Sequence, residues 1–316
     1  MATMRATMSA ARLHAWGRTD QVQIDEVEIP KPGPDEVLIH VRAASVNPVD
    51  WAVVKGAMRE RYSLPVTPGW DVAGEVGAVG ANVEHLHAGD SAYGVTAGGG
   101  FAQFALAPGK NITQAPRNLT MLEAAAVPVV AETAWQALFH FGQLSAGQKI
   151  LIHGASGGVT HIAVQLARWK GAYVVATASG ENEEFVHALG ADQFINYHQT
   201  RFEDVVKDTD VVLDTIGGET LERSYDAVKR GGIVVTITGK PDEERAKARG
   251  ILAVAASRGN ADRTQLDEIT HLIDAGRLKP VVTAAYPLDH VQDALDAIGT
   301  HHTRGKIVVT VPDGEV

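Results

Sequence analysis

The stretch Lys149-Ile-Leu-Ile-His153, followed by Gly154-Ala-Ser-Gly-Gly-Val-Thr160, decides the fold of this chain. An apolar strand leads into a glycine-rich turn, and apolar residues then recur at helical spacing as far as Lys170. This order is typical of a βαβ unit in a parallel sheet. At such a turn, backbone N–H groups and the positive end of the helix dipole favour an anion such as a pyrophosphate. The sequence therefore predicts a dinucleotide site, although the spacing Gly154-x-x-Gly157-x-x-Thr160 departs from G-x-G-x-x-G.

Strands and helices continue to alternate toward the C-terminus. Further apolar strands are predicted at Tyr173–Ala178, Asp210–Asp214, Ile233–Thr238 and Ile251–Ala256. Helices are predicted to end at Gly171, Gly190 and Gly231, because glycine readily adopts the left-handed conformation that follows many helices. The pattern predicts an α/β domain with a doubly wound parallel sheet and helices on both faces.

The N-terminal part of the chain has a different pattern. Residues 9–110 contain short β-prone runs broken by Gly and Pro, which favours a small antiparallel barrel or sandwich. The predicted strands there are Val22–Ile29, Glu36–Ala43, Asp71–Val79, Ser91–Val95 and Ala102–Ala107. We expect the first ten residues to be a frayed tail. Near the C-terminus, a helix at Asp289–Ile298 and a strand at Lys306–Val311 are predicted.

Composition excludes several classes of function. The 316 residues carry 28 Lys and Arg against 38 Asp and Glu, a formal net charge of −10, which disfavours a nucleic-acid partner. There is no cysteine, so disulfides, thiolate metal sites and a cysteine nucleophile are excluded. No apolar run reaches the roughly 18 residues of a membrane span. We therefore expect a cytoplasmic protein with no membrane partner.

The glycine turn also matches the G-x-S-x-G motif of α/β hydrolases. Ser156, Asp214 and either His271 or His290 would complete a catalytic triad in the order Ser, Asp, His. We favour the dinucleotide interpretation, because Ser156 follows the first strand of its sheet and a hydrolase needs several strands before the serine.

Motifs along nearly the whole chain resemble the zinc-independent medium-chain dehydrogenase/reductases, in the quinone oxidoreductase and enoyl (alkenal) reductase branch. The resemblance is carried by Ser45-Val-Asn-Pro-Val-Asp50, Pro68-Gly-Trp-Asp-Val-Ala-Gly74, Ala131-Glu-Thr-Ala-Trp-Gln136, His153-Gly-Ala-Ser-Gly-Gly-Val159, Val212-Leu-Asp-Thr-Ile-Gly-Gly218 and Arg304-Gly-Lys-Ile-Val308. It implies a GroES-like β-rich catalytic domain from both termini, residues 1–133 and 270–316, around an inserted Rossmann domain, residues 134–269. It also implies hydride transfer from NAD(P)H to a quinone or an α,β-unsaturated carbonyl.

Two departures from the wider family bear on the chemistry. Where the zinc branch has a Cys and a His for its catalytic metal, this chain has Asn47 and Trp70. Without a metal there is no strong Lewis acid to polarise an alcohol, so simple alcohol oxidation is not expected. Thr160 stands where the third glycine of the turn is usual, and we expect its Cβ to push the helix slightly outward.

The resemblance also assigns residues to a site. Asn47 and Tyr62 would be catalytic, the amide as a donor to the substrate oxygen and the phenol as a proton donor, with Trp51 and Trp70 as flat walls of the substrate pocket. Asn47 as a loop residue, Tyr62 as a packing residue and Trp70 as a core residue remain open alternatives. Asp50 and Asp71 are interpreted as loop or cap residues. The implied cofactor-binding residues are Thr133, Ala155, Ser156, Gly157, Gly158, Val159, Ser179, Gly180, Tyr197, Gly217, Arg304 and Lys306.

The second strand of the Rossmann pattern ends in Ala178-Ser-Gly180, without the acidic residue that usually binds the ribose of NAD. We therefore predict NADPH rather than NADH, held by neutral donors, since residues 171–200 contain no Lys or Arg. Glu181 would reduce this preference if it turned back to the ribose. A homodimer built on Ile233–Thr238 and Ile251–Ala256 is expected, because exposed strand edges pair. The alternative functions are a catalytically silent NADPH-binding protein and a natural-product tailoring reductase with a dedicated substrate.

Overall fold

The structure, a computed structural model, describes residues 7–259, 261–300 and 303–312. It divides into two compact units. The first comprises residues 1–129, 261–275 and 280–316, and the second comprises residues 130–260 and 276–279. The sequence placed these boundaries at 133/134 and 269/270.

The regular elements of the described residues follow in chain order. The strands are β1 Thr7–Leu13, β2 Val22–Glu28, β3 Glu36–Val46, β4 Asp71–Val79, β5 Ser91–Val95, β6 Phe104–Pro108, β7 Ile112–Gln114, β8 Lys149–His153, β9 Tyr173–Ala178, β10 Gln193–Asn196, β11 Thr209–Asp214, β12 Val228–Thr236, β13 Leu252–Ala255, β14 Val282–Pro287 and β15 Lys306–Thr310. The α-helices are α1 Pro48–Val54, α2 Met121–Ala125, α3 Pro128–Trp135, α4 Thr160–Lys170, α5 Glu183–Ala188, α6 Phe202–Val205, α7 Gly218–Ser224, α8 Glu243–Arg249, α9 Arg263–Asp274 and α10 Val291–Gly299.

The second unit is built on a parallel sheet of strand order β10-β9-β8-β11-β12-β13. This is the Rossmann order, in which the chain reverses direction across the sheet between β8 and β11. Leu151, Val175, Val212 and Val234 belong to one apolar core cluster and are fully buried. A strand buried on both faces needs a continuous apolar run, which is why the sequence located these strands closely. The predicted doubly wound parallel sheet is confirmed.

One predicted helix end is wrong. Gly171 and Gly190 follow α4 and the α5 segment with φ of +86° and +109°, as the sequence predicted. Helix α7, however, ends at Ser224, and Arg230 and Gly231 lie inside β12. The register with β11 shifts from Thr209↔Val228 to Val211↔Ile233, so β12 bulges here. Gly231 has a φ of +82° that serves this bulge rather than a helix end.

The first unit contains a largely antiparallel sheet of strand order β14-β15-β3-β4-β5-β7, with β6 also paired to β3. Strand β15, from the C-terminal end, pairs with β3 through Ile307↔Val46 and Val309↔Ala44. Both ends of the chain therefore supply one sheet, as the family resemblance implied. Fully or almost fully buried side chains of the two strands, including Ile39, Val41 and Val309, share its core.

The expectation of a frayed N-terminus is wrong for the part that the structure describes. Residues Thr7–Leu13 form β1, which pairs antiparallel with β2 along its whole length. Ala10, Ala11 and Leu13 are at most 1% exposed. Alanine is depleted in strands, so the two consecutive alanines gave little local indication of a strand that pairing with β2 stabilises. Within the described residues, no helix is long and apolar enough to cross a membrane.

Candidate functional site

The glycine turn of the second unit has the backbone arrangement of an anion site. Gly154 follows β8 with a φ of +67°, and Gly157 N–H donates to its carbonyl over 2.9 Å. Ala155 N–H donates to Thr177 O of the neighbouring strand, over 2.9 Å. Within the described ranges, the N–H groups of Ser156, Gly158 and Val159 have no hydrogen-bond acceptor. These donors precede an eleven-residue helix with no side-chain cap, so the turn fits a pyrophosphate.

Thr160 is fitted into this turn. It is the first residue of α4 and is 1% exposed. Its hydroxyl donates to the carbonyl oxygen of Gly154. The side chain thus links the start of the helix to the end of β8 by a hydrogen bond, at the position where a glycine usually permits close packing.

The loop after β11 lies beside the turn. Gly217 has a φ of +76°, and its N–H donates to Asp214 Oδ1 over 3.0 Å. Thr236 Oγ1 donates to the other carboxylate oxygen, Oδ2, over 2.7 Å. The buried Asp214 carboxylate thus shapes this loop, and its hydrogen bonds within the described chain include no histidine. His290 pairs with Asp293 instead, over 3.0 Å. The structure therefore gives no support to a Ser156–Asp214–His triad.

The carboxyl end of β9 carries polar groups that the sequence only partly indicated. Ser179 Oγ accepts a hydrogen bond from Asn182 Nδ2 over 2.8 Å and donates to Glu181 Oε1 over 3.3 Å. Glu181 therefore does turn back to the strand end. A Cβ on Gly180 would lie 2.6 Å from Asn196 Nδ2, so the Asn196 amide reaches over this glycine. Because His198 N–H donates to Asn196 Oδ1 over 3.1 Å, the amide nitrogen is the end that faces Gly180. Sequence reasoning missed Asn196.

Three further residues were predicted to bind the cofactor. Tyr197 is 53% exposed, and its ring lies 4.2 Å from that of His198. Thr133 is buried in α3, beside Glu132, whose fully buried carboxylate is ion-paired with Arg258. Arg304 is exposed and belongs to the first unit. The Glu132–Arg258 pair was not predicted, since nothing in either local sequence marks it.

The first unit holds a buried polar network around the Asp71 carboxylate. Ser45 Oγ and Asn47 Nδ2 donate to Asp71 Oδ2, over 2.6 and 2.7 Å. Val129 N–H donates to the other oxygen, Oδ1, over 2.8 Å. The Lys306 ammonium donates to Asn47 Oδ1 and lies 3.7 Å from Asp71 Oδ2. A buried carboxylate with this many donors and a nearby cation is satisfied rather than reactive.

Asp50 belongs to the same region. Its carboxylate accepts hydrogen bonds from the backbone N–H groups of Asn47 and Gly69, over 2.8 and 2.9 Å, and it completes a capping box at the start of α1. Burial raises the pKa of Asp50 to about 7, and the nearby Asp71 carboxylate adds to this increase. Burial also lowers the pKa of the Lys306 ammonium, although the two carboxylates oppose that change. The interpretation of Asp50 as a cap residue matches this geometry, whereas Asp71 is the centre of the network.

These contacts restrict the roles predicted for Asn47 and Lys306. Asn47 is 1% exposed, and its amide binds Asp71 through one hydrogen of Nδ2 and Lys306 through Oδ1. A substrate contact would have to use the second amide hydrogen. The Lys306 ammonium also donates to the carbonyl oxygen of Val46, over 3.1 Å. Both residues are therefore placed as internal parts of the first unit.

The aromatic residues predicted for the substrate pocket are partly buried. Tyr62 OH donates to the carbonyl oxygen of Ala97 over 3.2 Å, and burial raises the pKa of its phenol. Trp51 packs against Gly299, where an added Cβ would lie 2.5 Å from the indole nitrogen. Trp70 is half-buried, and its carbonyl accepts from Thr96 N–H over 2.7 Å. Within residues 7–259, 261–300 and 303–312, no three His, Cys, Asp or Glu side chains form a cluster that would hold a metal.

A Rossmann unit with a glycine turn that fits an anion, inserted into a β-rich unit formed from both ends of the chain, is typical of a medium-chain dehydrogenase/reductase. Comparison with known proteins agrees. The model for an alcohol dehydrogenase GroES-like domain matches residues 33–117, and the model described as a zinc-binding dehydrogenase matches residues 189–309. The first match confirms the GroES-like prediction.

Relatives narrow the assignment to one branch. Quinone oxidoreductase of Mus musculus is 33% identical over 94% of this chain and 96% of its own length. The chloroplastic NADPH-dependent alkenal/one oxidoreductase of Arabidopsis thaliana is 34% identical over 93% of this chain and 77% of its own length. The structure of the quinone oxidoreductase from Coxiella burnetii superposes with a TM-score of 0.90 at 30% identity, covering 97% of this chain and all of that one. The chain belongs to the quinone oxidoreductase and enone reductase branch of the medium-chain dehydrogenase/reductase family.

Proposed function

We propose that this protein is a zinc-independent NAD(P)H-dependent reductase of quinones or α,β-unsaturated carbonyls. The observation that carries the proposal is the glycine turn, where the N–H groups of Ser156, Gly158 and Val159 stand before the uncapped start of α4. The names of the relatives from mouse and Arabidopsis support the same reaction. The absence of cysteine from the chain supports a reaction without a catalytic zinc thiolate.

The reaction needs a hydride, a proton and a group that stabilises negative charge on the substrate oxygen. The bound nicotinamide supplies the hydride, which carries both electrons to the quinone or alkene. Tyr62 is our candidate for the proton. A phenol is protonated at neutral pH, so Tyr62 has a proton to donate to the developing oxyanion. Burial raises the pKa of this phenol, which makes the proton harder to release. Trp51 and Trp70 are our candidates for the walls of the substrate pocket. Asn47 is our candidate for a hydrogen-bond donor to the substrate oxygen, through the second hydrogen of its amide.

We propose NADPH as the preferred reductant, with a modest preference over NADH. The Gly180 N–H and Asn196 Nδ2 would bind the 2′-phosphate, and the exposed Tyr197 would close over it. Ser179 Oγ would also bind it, once its one hydrogen turns from Glu181 Oε1 to the phosphate. None of these groups is charged, so each hydrogen bond is weaker than one from a guanidinium. The Glu181 carboxylate, 3.3 Å from Ser179 Oγ, opposes a second anion at the same place. These contacts support a preference that is small and sensitive to Glu181.

Two further predictions from the sequence are kept as proposals. We propose a homodimer through β13, the edge strand of the Rossmann sheet, because Leu252 on it is 63% exposed. The other strand named for this interface, Ile233–Thr238, is not an edge, because β12 pairs on both sides. The cytoplasmic location also stays a prediction.

Turnover tests the proposed function directly. We expect the protein to oxidise NADPH in the presence of 1,2-naphthoquinone, 9,10-phenanthrenequinone or a short enone. The rate is measured as the loss of absorbance of the reduced nicotinamide. Replacement of Tyr62 by Phe should lower kcat more than KM, whereas Tyr173→Phe, at a tyrosine that is 47% exposed on β9, should change neither. Tight NADPH binding without turnover of any acceptor would favour the catalytically silent protein instead.

A further inference from the structure

The starting observation is the hydrogen bonding of two consecutive carbonyl groups at the end of β8. The Gly154 carbonyl accepts from Gly157 N–H over 2.9 Å and from the Thr160 hydroxyl. These two donors use both lone pairs of the oxygen. The His153 carbonyl accepts from Thr215 Oγ1 over 2.9 Å. Two threonine hydroxyls, one from α4 and one from the loop after β11, therefore hold the strand end.

The space around the turn is filled closely. A Cβ on Gly154 would lie 2.9 Å from Ile216 Cδ1 and 3.0 Å from Thr215 Oγ1. A Cβ on Gly157 would lie 3.2 Å from both Gly154 O and Thr160 Oγ1. The glycines and the two threonines thus fit one another, and the peptide group after Gly154 has little freedom to rotate.

This arrangement has an electrostatic consequence for an anion at the turn. The Gly154 carbonyl oxygen carries partial negative charge, and a peptide rotation that aimed it at a pyrophosphate would repel the ligand. The carbonyl is held by Gly157 N–H and by the hydroxyl of the buried Thr160, and the N–H groups of Ser156, Gly158 and Val159 remain available to the ligand. A glycine at position 160 would leave this carbonyl with one hydrogen bond fewer.

We propose that Thr160 is a positioning residue for the cofactor pyrophosphate, which acts by fixing the Gly154 carbonyl. The proposal rests on the proposed function, since it assumes a dinucleotide at this turn. A third glycine usually permits close packing of helix and strand at this position. In this chain, the Thr160 hydroxyl instead makes a hydrogen bond between the start of α4 and the Gly154 carbonyl after β8. Its hydroxyl, rather than its volume, is the feature that matters.

Ligand-binding measurements on two variants distinguish the effect of the Thr160 hydroxyl from the effect of the volume of its side chain. The ligands are ADP-ribose, which contains the pyrophosphate, and 2′-AMP, which does not, with dissociation constants from isothermal titration calorimetry. Thr160→Val keeps the shape and removes the hydroxyl, and Thr160→Ser keeps the hydroxyl. We expect Thr160→Val to weaken ADP-ribose about tenfold, equivalent to ~1.4 kcal/mol, and to leave 2′-AMP within about twofold. Thr160→Ser should bind both ligands like the wild type.

Thr160→Gly introduces the residue that is usual at this position. It also removes the hydroxyl without placing a valine side chain in the turn, so it serves as a second test if Thr160→Val disturbs the fold. We expect it to weaken ADP-ribose as well. Tighter binding by Thr160→Gly, unchanged binding by Thr160→Val, or equal weakening of both ligands would overturn the proposal. If the wild-type protein binds neither ADP-ribose nor NADPH, the proposed function fails together with this inference. If the wild type binds both and the variants do not differ, this inference alone fails.

Discussion

Replacement of Glu181 by Gln should increase the use of NADPH. The carboxylate oxygen of Glu181 lies 3.3 Å from Ser179 Oγ. A phosphate oxygen bound by this hydroxyl would lie about 3 Å from Ser179 Oγ. The phosphate and the Glu181 carboxylate would then be roughly 6 Å apart. In water, two unit charges at that distance repel by about 0.7 kcal/mol. Because a phosphate monoester carries a charge of about −1.5 to −2, the repulsion is about 1 kcal/mol, or a five- to tenfold effect.

The assay compares kcat/KM for NADPH and NADH with one shared quinone. We expect Glu181→Gln to raise the NADPH value about fivefold and to leave the NADH value within twofold. In the wild type, the ratio of the two values should rise with salt, which screens the repulsion, and this dependence should weaken in the variant. Glu184→Gln, in the first turn of α5, is the matched control and should change neither value.

The opposite result would refute this reasoning. If Glu181→Gln lowers the NADH value and leaves the NADPH value unchanged, the carboxylate binds the ribose hydroxyl of NADH. The preference for NADPH would then be wrong.

Three further predictions concern stability, assembly and metal content. The pKa of Asp50 is raised to about 7 on folding, so the contribution of the protonated carboxyl to stability is complete below pH ~4 and is lost as the pH rises to 7. In urea unfolding, Asp50→Asn should therefore become more stable relative to the wild type as the pH rises across that range. A difference in unfolding free energy that does not change with pH would contradict the burial argument. Leu252→Lys should give a monomer in light scattering, whereas Ile24→Lys, at a residue 43% exposed on β2, should stay a dimer, and a wild-type monomer would disprove the assembly. Purified protein should hold less than one zinc per chain and keep its turnover in EDTA; zinc and activity lost together would show that a metal is required.

Much of the fold was predictable because its signals are local. Four strands, β4, β5, β8 and β9, have the predicted bounds, since each is a short β-prone stretch bounded by glycine, proline or polar residues. Strand β1 was missed because it is stabilised by pairing with β2, and its two consecutive alanines give little local strand signal. Gly231 was misassigned because a positive φ marks a strand bulge as readily as a helix end.

The candidate site was predictable to a different extent in the two units. The turn from Gly154 to Thr160 is contiguous in sequence, so its residues and its ligand class could be predicted together. Lys306 and Asn47 are 259 residues apart, and no local pattern indicates that they meet. The family resemblance assigned Lys306 to the cofactor, and the structure shows its ammonium 3.7 Å from Asp71 Oδ2.

The network around Asp71 has a consequence for the order in which this protein folds during synthesis. The second unit consists almost entirely of residues 130–260, and the first unit needs β15, which begins at Lys306. Domains fold as their chain leaves the ribosome, at about 5–20 residues per second. The Rossmann sheet therefore has all its strands while Asp71 still lacks the Lys306 ammonium. The first unit cannot complete its sheet until β15 has been synthesised. A chain cut before residue 306 would keep the glycine turn of the second unit, but Asp71 in the first unit would lack the Lys306 ammonium.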